Sequence, residues 1–250
     1  MAKHENKVNE KKIILNIILG IFIIGIIISS IYFIKWFKDI RENKKISNKV
    51  SEAITQNTTT DSELSYNIDF NKLKEINNNI VAYIKVNGTD IEYPIVQYKD
   101  NSYYLNRNLN KDYSSSGSIF LDYKNKLDGT DKNIVIYGHN VKDGSMFGSL
   151  KKTLKEDWYS NEENYIIDFI TENCEENYQV FSVYQIETED YYINTEFKDE
   201  EFKNFVNTLK KRSKKDFGVE ITEEDSILTL STCANNYRDR IVLHAKKITK

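Results

Sequence analysis

The scarcest residue types narrow the class of this 250-residue chain before any motif is read. It has two cysteines, Cys174 and Cys233, and three histidines, His4, His139 and His244. Two cysteines cannot build the disulfide framework of a small secreted scaffold. These few soft ligands are also too scattered for a structural zinc site. A single Cys174–Cys233 bridge stays open, subject to the narrow Cα separation a disulfide demands. One proline and nine glycines exclude collagen-like or low-complexity chain. With 35 basic against 38 acidic residues, net charge −3, there is no single-sign field to attract nucleic acid, and no nucleic-acid partner is expected.

Long apolar runs are also rare, with one exception. Residues Ile13 to Ile34 read IILNIILGIFIIGIIISSIYFI, 22 positions without a charge. At 1.5 Å per residue this spans a hydrocarbon core of about 30 Å. It is too long, and lacks the polar face, for a buried core helix. A cleaved signal would carry a shorter apolar region and a small-residue cleavage pattern. Here Ile31, Tyr32 and Phe33 follow Ser29 and Ser30 at once. The run is read as an uncleaved signal-anchor. Lys3, Lys7, Lys11 and Lys12 precede it, and Lys35, Lys38, Arg41, Lys44, Lys45 and Lys49 follow, so charge bias leaves its orientation open. Residues 35–66 are polar and read as a tether or N-terminal helix. This gives a tail (1–12), a transmembrane segment (13–34), a tether (35–66) and a folded domain (67–250).

From Asn67 the pattern becomes globular. Phe70 to Asn78 reads as a short helix. IVAYIKV and IEYPIVQY flank Asn87-Gly88 as a hairpin, with Pro94 marking an edge or bulge. SIFLDY and NIVIYGH read as strands. ENYIIDFI and YQVFSVYQIE form a second hairpin about a turn at Asn173–Glu176. Phe202, Phe205, Val206 and Leu209 recur at helical spacing within 199–212. SILTLSTC and RIVLHAK close the chain. About eight short strands with few helices predict a mainly β fold, a closed or nearly closed barrel with helical decoration.

Cys233 has two readings. Free cysteine is commonly a small buried apolar residue. Here, however, the apolar run stops at Leu230 and polar ANNYRDR follows, placing Cys233 at a strand mouth. Arg238 and Arg240 bring positive charge close to it, which favours a thiolate. His139 ends another strand and is the histidine to pair with it. His4 lies in the tail. His244 shares a strand face with Arg240 and Val242 by period two, and spacing does not exclude it.

TLSTC followed by RIVLHAK resembles the signature of the sortases, cell-surface cysteine transpeptidases of Gram-positive bacteria. IYGHN with DGSMFGSL is similar to their histidine segment. GSIFLDYKN, YPIVQYKDNSYYL and the helix between DYYINTEF and the last two strands resemble class B members. The resemblance runs from about Phe70 to Ile248. It implies an eight-stranded sortase-type β-barrel with N-terminal helices and a helix before the last two strands, preceded by one transmembrane helix. By family position Cys233 is the nucleophile, His139 the acid/base residue and Arg240 the oxyanion-stabilising residue. Asn101, Leu105, Tyr137, Thr188, Tyr192, Ile193 and Ser231 are expected to line the substrate groove. Only six residues separate Cys233 from Arg240, so Arg238 competes for the arginine role. Ala234 stands where some members carry an acid.

The implied reaction needs no metal or organic cofactor. Cys233 would attack the threonine carbonyl in a C-terminal sorting motif of a surface protein, and an amine of the cell wall or a pilin would resolve the thioester. The enzyme would be a thiol peptidase by class, held by one helix with its catalytic domain outside the cell. Two other readings stand beside this one. A papain-like protease would place its cysteine before its histidine, at a helix start. A membrane-anchored, non-catalytic surface binding module would bury Cys233 as an inert thiol.

Overall fold

The structure is a computed structural model that describes residues 2–58, 64–198, 200–233 and 238–248; side chains are described for 13–54, 67–198, 200–232 and 238–248. The chain divides into two units, 1–48 and 49–250. Helix α1 (Ala2–Glu52) runs unbroken through the apolar segment, whose side chains are exposed. Among the described residues it is the one helix long and apolar enough to cross a membrane. It continues through the polar stretch after Ile34, helped by one-turn pairs such as Lys45–Glu42 at 2.8 Å.

The tether is thus helical as far as Glu52, and then it changes form. Strands β1 (Ile54–Thr58) and β2 (Leu64–Ile68) pair antiparallel. After Ile54, β1 is wholly polar, and the brief alternation of Leu64, Tyr66 and Ile68 in β2 stands between the polar run TQNTTTDSE and the start of α2, so the stretch reads as linker. Helix α2 (Phe70–Ile76) follows, capped by the Asp69 carboxylate, which accepts from the Lys72 amide at 3.1 Å.

The remaining strands are β3 (Ile80–Val86), β4 (Glu92–Val96), β5 (Phe120–Leu121), β6 (Asn133–Gly138), β7 (Ile166–Thr171), β8 (Glu175–Glu187), β9 (Ile227–Cys233) and β10 (Asp239–Ile248). They form a closed barrel in the order β10-β8-β7-β3-β4-β5-β6-β9. The expected hairpins are β3–β4 and β7–β8. Pro94 pairs with Tyr83 of β3, while the opposite side of β4 meets β5 only at Val96–Phe120. A residue without an amide proton is tolerated there because the strand is an edge at that point. SIFLDY contributes only Phe120 and Leu121 as strand. Helix α3 (Glu156–Tyr159) and the 3₁₀ turn Gly148–Leu154, absent from the sequence reading, follow the histidine segment.

Alternation along the last strands sets up two layers. Leu228, Leu230, Ile241, Leu243 and Ala245 join the barrel interior with Ile84, Ile136 and Phe169. Val242 and Ile227 pack on the outer face with Phe181, Tyr184 and Tyr192. Helix α4 (Glu201–Arg212) covers that face through Phe202, Phe205, Val206 and Leu209, its residue 199 lying outside the described residues. A bulge opposite His244–Ala245 skips Phe181 in the register. Phe181 therefore joins the outer cluster, and Ser182 donates to the Leu209 carbonyl at 2.7 Å, satisfying an orphan acceptor at the end of α4.

Candidate active site

Three adjacent strands bring the predicted trio together. β6 and β9 run parallel, and their last paired residues are Gly138 and Thr232. His139 and Cys233 are each the next residue along. On the other side of β9, Arg240 of β10 is the direct register partner of Cys233. Neighbouring strands lie about 4.8 Å apart, so position 233 sits between positions 139 and 240. This arrangement depends on a parallel pairing between segments nearly a hundred residues apart in sequence, invisible to local periodicity.

The strand ends open into a groove of about 270 Å³. His139 and Arg240 line it, and so do all seven residues expected there: Asn101, Leu105, Tyr137, Thr188, Tyr192, Ile193 and Ser231. Arg238 is exposed and is not among the lining residues; its carbonyl accepts from the Thr188 amide at 2.8 Å. The side chain of Cys233 and all of Ala234 lie outside the described residues. Cys174 has a free, exposed thiol in the β7–β8 turn, so it forms no bridge to Cys233.

His139 is oriented by its neighbours. Its Nε2 lies 2.7 Å from the Leu105 carbonyl, which can only accept, so Nε2 carries a proton. Its own carbonyl accepts from the Phe147 amide at 3.0 Å. Gly117, with φ +60°, leaves room for the close approach of the Leu105 carbonyl. A Cβ there would stand 2.4 Å from the Leu105 oxygen.

Several groups in or behind the groove wall escaped the sequence reading. Asp122 is buried, and its Oδ2 accepts from Tyr137 Oη and Asn101 Nδ2, each at 2.8 Å. It thereby ties two groove residues together. Burial, reinforced by the Asp122 charge, pushes the Tyr137 phenol well above its usual range. An acid closing the apolar strand-like run SIFLDY was the available signal. Glu189 and Asp190 also line the groove, and Glu189 is ion-paired with Arg212. Tyr192 Oη and Ser231 Oγ share a 3.0 Å hydrogen bond. The chemistry on offer is a proton carrier and a guanidinium on either side of a cysteine position, beside a walled groove.

Known proteins resemble this chain over most of its length. The sortase-domain family model matches residues 84–248. Sortase B of Staphylococcus aureus is 39% identical over 183 residues, covering 72% of this chain and 74% of that protein. Sortase B of Listeria monocytogenes is 35% identical over 215 residues, covering 84% and 87%. Among solved structures, sortase B of B. anthracis in complex with AAEK1 superposes with TM-score 0.72 at 36% identity, covering 86% of this chain and all of that one. The S. aureus sortase B–substrate complex gives TM-score 0.67 at 38% identity, covering 72% and 85%.

Proposed function

Because the chain belongs to the sortase family, as a cell-wall-anchoring transpeptidase similar to sortase B, we propose that Cys233, His139 and Arg240 are its catalytic residues. The single observation that supports this most is the groove shared by His139, Arg240 and the seven expected substrate residues, at the ends of three neighbouring strands.

The reaction is two acyl transfers. Cys233 thiolate adds to the carbonyl of the sorting-motif threonine. The oxyanion is met by the Arg240 guanidinium and a backbone N–H. The C–N bond breaks as His139, in its imidazolium form, protonates the departing amine. The remaining thioester is attacked by an amine of the cell wall or a pilin. His139 takes the proton of that amine, and the thiolate leaves. Water in place of the amine gives hydrolysis, the thiol-peptidase side of the same chemistry.

We place residues 13–34 in the membrane as a single span, with 1–12 inside, 35–66 as the connecting segment and 67–250 as the extracellular catalytic domain. Its apolar side chains and length support the span. The partners are surface proteins bearing a sorting motif and the acceptor amine.

The test is a sorting-peptide library incubated with the full-length chain, with and without an added oligopeptide amine, and read by mass spectrometry. The reading expects cleavage after threonine and, with amine present, a new amide at that threonine. Absence of any threonine-terminated product across the library refutes it.

A further inference from the structure

Behind the groove wall lies a buried polar chain that the transpeptidation scheme does not use. Its centre is His244. His244, Thr229 and Asn133 are wholly buried, and Tyr184 nearly so. The rings of Phe181, Tyr184 and Tyr192 surround the imidazole at 5.5–6.5 Å between centroids.

The directions of the hydrogen bonds in this chain follow from its Asn133 end and the neutral ring. On one side of the ring Tyr184 Oη lies 2.9 Å from His244 Nε2, and the guanidinium of Arg212, in the last turn of α4 and paired with Glu189, brings its charge to bear on both. An imidazole wholly buried near a guanidinium is neutral, so one ring nitrogen donates and the other accepts. At the other end Asn133 Nδ2 donates to the carbonyls of Tyr192 (3.3 Å) and Asn194 (2.9 Å). Carbonyls only accept, which fixes the Asn133 amide and leaves its Oδ1 to accept from Thr229 Oγ1 at 2.7 Å. The hydroxyl proton of Thr229 is then used. Its oxygen must accept across the 2.8 Å contact with His244 Nδ1. Only a neutral ring protonated at Nδ1 satisfies both neighbours.

The two sides of the chain meet the same piece of groove wall, one by hydrogen bonds and one by charge. Asn133 grips the Tyr192 and Asn194 carbonyls, and Arg212, whose charge reaches Tyr184 and His244, pairs with Glu189. Between them Asp190, Tyr192 and Ile193 face the groove. We propose that His244, in its neutral Nδ1–H form, is a positioning residue that sets this relay and thereby fixes the wall segment 189–194 against the sorting peptide. The inference rests on the sortase reading for its substrate, and on the hydrogen-bond directions for everything else. His244 touches no reacting atom. Breaking any link leaves a buried donor or acceptor unpaired, so the segment loosens as a unit.

The test uses the full-length chain in detergent micelles, labelled with ¹⁵N-histidine. Only three histidines are present, so the His139→Ala and His244→Phe spectra assign the signals. At neutral pH the proposal expects His244 Nδ1 as the protonated nitrogen and Nε2 as the bare one. The opposite tautomer, or an imidazolium, overturns it. His244→Phe and Thr229→Val cut the relay on either side of the same bond. Each should speed amide exchange at Ile193 and Asn194 and raise KM for a cleavable peptide about tenfold, with kcat changed less than about threefold. The double variant should be no worse than either single one, since both break one chain. Folded single variants with unchanged exchange and KM overturn the proposal. If His244→Phe does not fold, the wild-type tautomer and Thr229→Val decide it. A wild-type chain that cleaves no sorting peptide overturns the catalytic reading, while tautomer and exchange still decide the relay.

Discussion

Replacing Arg240 by alanine separates catalysis from stability more cleanly than most changes near the groove. Arg240 stands opposite Cys233 in the β9–β10 ladder and lines the groove. Its one side-chain hydrogen bond within the described residues runs from Nη1 to the Asp239 carbonyl at 3.2 Å. Losing that bond costs about 0.5–1.5 kcal/mol of stability. Losing a donor aimed at a developing oxyanion costs about 2.7–4 kcal/mol in the transition state, or roughly 10²–10³ in kcat. The chain should therefore fold normally and turn over a few hundred times more slowly. Arg240→Lys should remain impaired, because a point charge does not replace the planar donor fork. Arg238→Ala should be mild. Arg238 is exposed, and it holds Thr188 through its backbone carbonyl, which the substitution keeps. The assay is kcat/KM on one cleavable peptide, with urea unfolding of each variant alongside. An inactive, folded Arg238→Ala beside an active Arg240→Ala would refute the assignment across the short loop.

Three further outcomes follow from groups around the groove. Gly117→Ala introduces a Cβ 2.4 Å from the Leu105 oxygen at a positive φ; this should cost about 1–3 kcal/mol and, by moving the acceptor of His139, lower kcat, as seen in parallel unfolding and kinetic curves. Tyr137→Phe removes one donor from buried Asp122 and should lower urea stability by about 1.5–3 kcal/mol, nearer the lower figure because Asn101 still donates to the same oxygen. Burial, aided by the Arg212 charge, lowers the His244 pKa from 6.5 to about 3. The unfolded chain then takes up a proton that the folded one refuses between these values, so stability falls as pH drops through that window, by roughly 5 kcal/mol at most. His244→Phe should flatten that part of the acid-unfolding profile despite its lower stability at neutral pH, and a profile with the wild-type slope would rule the histidine out as its source.

The strands were legible because each carries its own signal. In ILTLSTC and RIVLHAK, Leu228, Leu230, Ile241 and Leu243 alternate with Thr229, Ser231, Val242 and His244, and the two sets separate into the barrel interior and the helix-covered face. The apolar run of α4 was readable for the same reason. β1 and β2 were not, since TQNT is wholly polar and the alternation in LSYNI is too short, beside a polar run, to stand out. The closure of the barrel was also hidden. It depends on the parallel β6–β9 ladder, and nothing local in either segment names its partner. Spacing singled out Cys233 and His139 as strand-end residues, but the groove residues came through family resemblance alone. The polar chain through Asn133, Thr229 and His244 lay outside both routes. Each of its members reads as an ordinary strand residue until the register stacks them.

The central claim is that one thiol, at position 233, carries the acyl group. The direct measurement is intact-protein mass spectrometry of the full-length chain, Cys174→Ala and Cys233→Ala, quenched in acid during turnover of a sorting peptide. The account predicts an adduct with the mass of the threonine-terminated fragment on the wild type and on Cys174→Ala, mapped to the peptide containing Cys233, and none on Cys233→Ala, which should cleave no substrate. A folded Cys233→Ala that still cleaves the peptide, or an adduct mapped to Cys174, would contradict it.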